Sequence, residues 1–380
     1  MLTDIDRPGA LTIVVQGSLF AGNLVETANH CVHWRELFPQ AEIILAVAIS
    51  DILEPAGDER AAEVVEPRLV PGLRHDGLLR TALARLKAAC DKVVLSAGAL
   101  PLPPLKVDSK ANNINLQIAA AKAGLEQAGG TYTLRIRSDL VFLSREFLDV
   151  YRQHHARPRN ARTAFRQRVM ISPLFTLNPF TMERLPFHYS DWFHFGLTED
   201  VRSIWQIGEM SLRDAMHHAA FPHGADSNAF ERKFLLRFGI EQHINVPHLQ
   251  RVFPELRLDR FNDPAAASAS MRILLSDYLV SDLKQIRAVF NKYARALSDP
   301  NMELLCITHQ QWSELIDLGP DADFARYYAG AARRARRYVL IREEPSLKPL
   351  KIALFLTRHL RLKLSSARRF ARLVRSLRAR

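Results

Sequence analysis

The first 140 residues alternate between strand-like and helix-like patterns, and this alternation restricts the fold more than any other feature of the sequence. Short runs rich in Val, Ile and Leu at 11–15, 43–47 and 92–95 have the length and composition of buried strands. Between these runs, part of the chain has apolar residues at the spacing of a helix. Parallel strands need crossover connections, so the pattern predicts an α/β fold with a mostly parallel sheet flanked by helices.

Local signals predict where several of these elements begin and end. Asn23 and Glu26 have the spacing of a capping box at the start of a helical pattern that runs to Pro39. A second helix is predicted over 112–128, where Gly129-Gly130 ends it. Residues 131–137 then alternate as a strand. Farther along, a helix start is predicted at Thr198, and helical patterns are predicted at 230–238, 271–297 and 321–338.

Several familiar motifs are absent from the sequence. It contains no GxGxxG, P-loop, GxSxG or HExxH, which argues against a Rossmann dehydrogenase, a P-loop kinase, an α/β-hydrolase and a zincin. The three cysteines are too few for a disulfide framework or a cysteine-based zinc site. The fourteen histidines show no spacing typical of metal ligands. Any catalytic residues must therefore belong to a less familiar sequence motif.

Polar residues follow two of the predicted strands, at Gln16-Gly17 and at Ser138-Asp139. In an open parallel sheet, ligands bind outside the carboxyl ends of the strands. A carboxylate such as Asp139 can hold a divalent metal, Mn²⁺ or Mg²⁺, which bridges a pyrophosphate, and Arg137 would add a cation for the same phosphates. The alternative is an aspartate that only caps the turn after its strand.

These strand ends belong to a longer series of sequence blocks. The blocks lie at residues 12–17, 38–45, 113–118, 124–125, 132–139 and 190–196, followed by Glu199-Asp200. Their order and spacing over about residues 11–240 resemble the WavE lipopolysaccharide-synthesis family and, more broadly, the nucleotide-sugar half of the GT-A glycosyltransferase fold. The resemblance implies a GT-A-like enzyme that moves a sugar from a nucleotide-sugar donor to a lipid-linked glycan acceptor of lipopolysaccharide core or a related surface glycan.

The resemblance also implies a donor site. Carried onto this chain, it places Gln16 and Gly17 under the nucleotide, Asn115 and Gln117 in the same crevice, and Asp139 as the metal or donor carboxylate, with Arg137 and Ser138 beside it. Leu116 departs from the family pattern, in which an arginine is expected between Asn115 and Gln117. Three interpretations stay open: the missing cation shifts the choice of donor, Arg135 or Arg137 supplies the charge, or the donor site is degenerate.

The block at 189–200 is the candidate acceptor side. Transfer with inversion needs a general base near the acceptor hydroxyl, and Asp191 and Asp200 are the catalytic candidates, with Glu199, Asp226 and Glu231 in reserve. The neighbouring aromatic side chains suit sugar rings. The alternative is a buried aromatic cluster whose acids cap the helix that begins at Thr198. His223 is a further candidate metal ligand or a structural histidine.

The formal net charge of +12 lies almost entirely in the last 35 residues. Residues 346–380 contain eleven Lys and Arg and no Asp or Glu, which leaves +1 for residues 1–345. Apolar residues in this tail recur every three or four positions, which predicts a basic amphipathic helix on an anionic membrane surface. Docking of the tail against the body or a partner protein stays open, whereas the low aromatic content, two phenylalanines, and a strong apolar stripe disfavour nucleic acid.

These observations predict a cytoplasmic protein that is peripheral on the inner face of the cytoplasmic membrane. The sequence has no apolar run long enough to span a bilayer, and the first ten residues do not resemble a signal peptide. We expect a GT-A-like donor and acceptor domain at 1–240, a mostly helical region at 241–345 and the tail at 346–380. Two rival functions stay open: a non-catalytic membrane- or nucleic-acid-associated adaptor with a degenerate GT-A-like fold, and a GT-A-like nucleotidyltransferase.

Overall fold

One large sheet organises the chain in the computed structural model, which describes residues 5–53, 62–96, 98–107, 109–293, 301–319 and 321–343. Its strands are β1 (Leu11–Leu19), β2 (Glu42–Ser50), β3 (Glu63–Val64), β4 (Lys92–Leu95), β5 (Tyr132–Arg137), β7 (Val169–Ile171), β8 (Phe193–Leu197) and β9 (Tyr278–Val280). Their spatial order is β3-β4-β2-β1-β5-β8-β7-β9. A separate antiparallel ladder pairs β6 (Val141–Phe142) with β10 (Ala288–Val289).

Helices occupy most of the connections between these strands. They are α1 (Leu24–Leu37), α2 (Gly77–Ala89), α3 (Ile114–Glu126), α4 (Glu146–His154), α5 (Thr198–Trp205), α6 (Leu212–Ala215), α7 (His217–Ala220), α8 (Ile240–Val252), α9 (Ala267–Asp277), α10 (Met302–Leu305), α11 (His309–Leu318) and α12 (Phe324–Glu343). Among the described helices, none combines the length and the apolar composition needed to cross a membrane.

The sheet is mostly parallel, which confirms the α/β fold class that the alternating pattern predicts. β4, β2, β1 and β5 run parallel, β8 runs antiparallel between β5 and β7, and β9 is parallel to β7. The chain builds outward from β1 through β2 to β4, and then returns to the other side of β1 with β5. Such a reversal opens a crevice at the carboxyl ends of β1 and β5. We call this side of the sheet the carboxyl edge and the opposite side the amino edge.

Helix α3 lies against β1 and β2 at Gly124. A Cβ at this position would come within 2.6 Å of Val14 Cγ1 and 2.8 Å of Ala46 Cβ. A glycine inside a helix costs about 1 kcal/mol relative to alanine, and here it permits this close approach of helix to sheet. The contact fixes the position of α3 along β1 and β2. Gln117, in the first turns of α3, is thereby placed at the carboxyl edge.

Three local predictions differ from the structure. Asn23 does not cap α1: its Oδ1 accepts from the Phe20 N–H at 2.7 Å and its Nδ2 donates to the Ser18 carbonyl, so the side chain stabilises the preceding turn. The helix predicted over 271–297 ends at Asp277, because the next three residues pair with β7 as β9. Between 230 and 238 the chain forms only a single 3₁₀ turn, Glu231–Lys233.

The division of the chain into parts stays a prediction. The region after residue 240 is rich in helices, and it also supplies β9 to the same sheet that holds β1 and β5. The basic segment 346–380 lies outside the described residues.

Candidate active site

A cavity of about 280 Å³ opens at the carboxyl edge, beside the end of β5. Because β8 is antiparallel to β5, its first residue Phe193 pairs with Ile136 near the end of β5. The residues just before β8 therefore reach the carboxyl edge. Asp191 and Trp192 line the cavity there, together with Arg137 from β5 and Gln117 from α3.

Charged side chains in the cavity wall are paired, with one exception. Lys106 pairs with Glu183 at 2.8 Å, His188 Nε2 with Glu241 Oε2 at 2.9 Å, and Arg137 with Asp139 at 2.9 Å. Among the residues that the structure describes, none forms an ion pair or hydrogen bond with the Asp191 carboxylate. This carboxylate lies in the wall with its acceptor positions available.

The environment of Asp191 disfavours its charged form. Asp191 is only 4% exposed, and burial together with the nearby Glu241 carboxylate raises its pKa. The cations Arg135, Arg137 and His188 oppose this rise without cancelling it. A carboxylate whose pKa is raised toward neutral pH accepts protons more readily than an exposed aspartate.

His188 is held as a cation in the same wall. Its Nδ1 donates to the Phe175 carbonyl at 2.8 Å while its Nε2 donates to Glu241, so both ring nitrogens carry protons. Burial acts to lower the pKa of His188, but the charge and hydrogen bond of Glu241, together with the Phe175 carbonyl and Glu183, raise it overall. The pair is therefore already neutralised, which leaves Asp191 as the cavity-lining carboxylate without a bonded partner.

Aromatic rings close the cavity next to Asp191. The Trp192 ring centroid lies 4.7 Å from that of Tyr293, 5.7 Å from that of Phe175 and 4.2 Å from that of Phe290. Tyr293 and Phe175 also line the cavity. Of the aromatic residues in the 189–200 block, Trp192 lines the cavity, whereas its partners there, Phe175 and Tyr293, come from other parts of the chain.

The residues at the ends of β1 and β5 that the resemblance assigns to the donor site are linked to each other by hydrogen bonds. Gln16 Oε1 accepts from Arg135 Nε at 2.6 Å and from Arg135 Nη2, and Gln16 Nε2 donates to the Gln117 carbonyl at 2.8 Å. Gly17 lies directly against Ser138, whose N–H donates to the Gln16 carbonyl at 2.8 Å. Gln16, Gly17 and Ser138 therefore form the base of the carboxyl edge, and the cavity lies beside them.

Asn115 and Gln117 have different positions although both lie on α3. Asn115 is buried, and its side chain donates to the Met210 carbonyl at 3.0 Å and accepts from the Met210 N–H at 2.8 Å. It thereby fixes the segment between α5 and α6. Gln117 lines the cavity.

The Asp139 carboxylate is paired with cationic side chains of the protein. Its two oxygens accept from Arg137 Nε and Nη2, each at 2.9 Å, and Lys292 lies 3.8 Å away. Burial opposes ionisation of Asp139, but Arg137 and Lys292 hold its pKa below the usual value. Within the described ranges, no group of three or more His, Cys, Asp or Glu side chains is arranged to hold a metal. The side chains around Asp139 therefore do not form a set of ligands suited to a divalent cation.

Asp200 lies away from the cavity. It follows β8 in the first turn of α5, and Leu197 at the end of β8 pairs with Tyr132 at the start of β5. Asp200 is therefore at the amino edge, separated from Asp191 by a strand roughly 16 Å long. Its two oxygens accept from the Arg166 and Gln167 N–H groups, each at 2.9 Å, which orders the entry to β7.

The reserve candidates also have structural partners. Asp226 pairs with Arg260, Glu231 with Arg184, and Glu199 with Arg166. The His223 ring stacks on His218, with centroids 3.8 Å apart. The structure brings together Gln117, Arg137, Asp139 and Asp191, and leaves these other acids outside.

This chain is similar to two kinds of known protein. Two solved structures of LgtC are similar to this chain: a galactosyltransferase in complex with donor and acceptor sugar analogs, and an active-site mutant of LgtC. Each is 9% identical, with a TM-score of 0.33 over 84% of this chain and 99% of the other. No curated protein matches. The model of the family described as WavE lipopolysaccharide synthesis matches residues 104–337, more than half of the sequence, and the chain belongs to this family.

Proposed function

We propose that this protein is a glycosyltransferase of lipopolysaccharide core or related surface-glycan synthesis, which moves a sugar from a nucleotide-sugar donor to a lipid-linked glycan acceptor. Membership of the WavE lipopolysaccharide synthesis family supports this proposal. The crevice formed by strand reversal at β1 and β5 supports it as well, since ligands of open α/β sheets bind at such a place.

The observation that carries the proposal is the unpaired Asp191 carboxylate in a cavity whose other acids are paired. Asp191 acts as general base on the acceptor hydroxyl. As it takes the proton, the acceptor oxygen bonds to the anomeric carbon, and the bond from that carbon to the phosphate oxygen breaks. The nucleoside diphosphate leaves with the electron pair, and the sugar is transferred with inversion.

Arg137 faces the leaving diphosphate in this proposal. Its Nε and one proton of Nη2 are used by Asp139. A guanidinium carries five N–H donors, so three remain for phosphate oxygens, and Asp139 fixes the orientation of the group. The Trp192, Tyr293 and Phe175 rings support the sugar. Because the groups around Asp139 do not fit a divalent metal, the proposed chemistry assigns no step to one.

The acceptor and the place of action rest on the family and on the sequence of the tail. A lipid-linked acceptor is reached from the inner face of the cytoplasmic membrane, and the basic segment 346–380 would hold the enzyme there. Localisation is thus a separate proposal from the chemistry.

A donor panel with two matched aspartate variants tests the function. UDP-, GDP-, ADP- and CMP-sugars are incubated with the enzyme, with and without Mn²⁺ or Mg²⁺, and nucleotide release is measured. Asp191→Asn should lower turnover by about 10²–10⁴-fold, the usual contribution of a general base. Asp200→Asn, at the amino edge, should keep turnover within about threefold of wild type. Wild-type turnover in Asp191→Asn contradicts the base assignment, and a wild-type chain that binds no donor supports the adaptor instead.

A further inference from the structure

Arg135 is a wholly buried arginine in the middle of the sheet, whereas the sequence offers it only as one of two possible sources of the charge missing at Leu116. Its guanidinium donates through Nε and Nη2 to Gln16 Oε1 and through Nη1 to the Asp191 carbonyl oxygen. The guanidinium also lies 4.2 Å from the centroid of the Trp205 ring. One side chain on β5 thereby joins the end of β1, the segment before β8, and α5.

The charge of Arg135 has no directly bonded counter-ion. Among the described residues, no carboxylate lies within ion-pair distance of it, although a buried charge without a partner is costly. Burial lowers the pKa of Arg135 to about 9, and the nearby Asp191 carboxylate acts against this decrease. Asp191 in turn has Arg135 as the first of the cations that oppose its own rise in pKa. Each residue therefore stabilises the charged form of the other.

Other groups also face Asp191 and have to be taken into account. They are Arg137 from β5, His188 from the same segment as Asp191, Glu241 from α8, and Tyr293 from the turn after β10. Arg137 also forms an ion pair with Asp139, and His188 forms one with Glu241. Arg135 differs from both, because no carboxylate in the described part of the chain neutralises it directly.

We propose that Arg135 is the positioning residue of this site: it fixes the Asp191 peptide against Gln16 and supplies the buried positive charge opposite the Asp191 carboxylate. This inference rests on the proposed function of Asp191 as the base. Arg135 itself does not touch the substrate, because it is fully buried below the cavity.

The chain offers a matched control in Arg168. This arginine is also wholly buried, and its guanidinium lies 5.6 Å from the centroid of the Trp312 ring. It donates to backbone carbonyls, among them those of Arg157 and Leu275. It precedes β7, which runs parallel to β5, and therefore lies at the amino edge. Loss of Arg168 reports the cost of removing a buried arginine without any effect on Asp191.

The test follows the Asp191 carboxyl group directly by NMR. The full chain is labelled with ¹³C at the carbonyl and carboxyl carbons of aspartate, and Asp191→Asn assigns the resonances. In Arg135→Met the Asp191 titration should move to higher pH by about one unit or more, because a nearby positive charge is lost. In Arg168→Met it should stay at the wild-type position. An unchanged Asp191 titration in Arg135→Met overturns the proposal.

Arg135→Lys keeps the test decisive if Arg135→Met does not fold. Lysine retains the charge but cannot bond to Gln16 and to the Asp191 carbonyl as a planar fork does. The Asp191 carbonyl resonance should therefore move, while its carboxyl titration moves less than in Arg135→Met. If the carbonyl resonance stays in place, the positioning role is wrong. The readout needs no substrate, so its failure is distinct from failure of the proposed function, which shows as full turnover in Asp191→Asn.

Discussion

Gly17 and Ser138 lie so close together that a Cβ on residue 17 would overlap the Ser138 hydroxyl and come within 2.9 Å of Ser138 Cβ. The contact joins the end of β1 to the residue after β5, where the Ser138 N–H also donates to the Gln16 carbonyl. Only a residue without a side chain fits. The glycine that the sequence assigns to the donor therefore has a packing reason of its own.

Gly17→Ala should destabilise the protein by about 1–3 kcal/mol, the usual cost of overpacking a buried contact. The measurement is urea unfolding. Gly72→Ala is the control, because a Cβ there has no heavy atom within 4 Å. The double variant Gly17→Ala with Ser138→Gly should recover most of the loss. If Gly17→Ala unfolds at the same urea concentration as wild type, the close approach does not exist in solution.

Asn115→Ala should lower the free energy of unfolding by about 1–3 kcal/mol, because it leaves the Met210 N–H and carbonyl groups without their partner. Gln117→Ala should change stability by no more than about 0.5 kcal/mol. Donor binding should respond in the opposite way: Gln117→Ala weakens it, since Gln117 lines the cavity, whereas Asn115→Ala leaves it unchanged. Calorimetry with the donor found in the panel measures binding. Equal effects of the two variants on donor affinity would contradict this separation.

The His188–Glu241 pair should make stability depend on pH. The pKa of His188 is raised in the folded state from its ordinary value of 6.5. The stabilisation is therefore complete below about pH 6.5 and is lost as the pH rises through the folded-state pKa. Glu241→Gln should cost about 1.5–3 kcal/mol at acidic pH and less at alkaline pH.

Urea unfolding from about pH 5.5 to about pH 8.5 measures the difference between wild type and Glu241→Gln. Glu183→Gln is the comparison variant, because Glu183 pairs with Lys106 in the same cavity and contributes less than Glu241 to the raised pKa of His188. Its difference from wild type should therefore depend less on pH than that of Glu241→Gln. A difference for Glu241→Gln that stays constant with pH would show that His188 is not the cation described.

Truncation after Glu344 should abolish flotation with anionic liposomes. Each basic residue near an anionic surface contributes about 1 kcal/mol to the free energy of membrane binding. Truncation removes all eleven basic residues of the segment and therefore most of this attraction. Vesicles of phosphatidylcholine alone are the control and should bind neither form. A variant with Arg368, Arg369 and Arg372 changed to Gln should float at an intermediate level. Equal flotation of the truncated and full chains removes the membrane role.

The first half of the fold could be predicted because its signals are local. The runs that predict β1, β2, β4 and β5 lie within those strands, and α3 begins and ends within two residues of its predicted limits. β8 was not predicted. It has apolar residues at alternate positions, Phe193, Phe195 and Leu197, but it is only five residues long and lies in an aromatic-rich stretch, so the alternation does not stand out.

The site could be predicted only in part for the same reason. Without β8, Asp191 and Asp200 belong to one acidic and aromatic block, whereas the strand between them places them at opposite edges. In the sequence, Arg135 is only one of two candidates for the charge missing at Leu116, and its burial has no signal there, because a charged residue inside a strand is ordinarily assigned to its solvent-facing side. Its role depends on Gln16, which is 119 residues away, and on Asp191, which is 56 residues away.

The antiparallel course of β8 also has a consequence for how such an enzyme could acquire a new acceptor. The segment that enters β8 is a connection without regular structure, yet Tyr189, Ser190, Asp191 and Trp192 are all buried in it. An insertion there would disrupt the interior of the protein and not merely lengthen a surface loop. The turn after β10 reaches the same cavity through Tyr293, which is half-buried. Under the proposed function, changes of acceptor during evolution are therefore expected in this outer turn, while the segment before β8 stays constant in length.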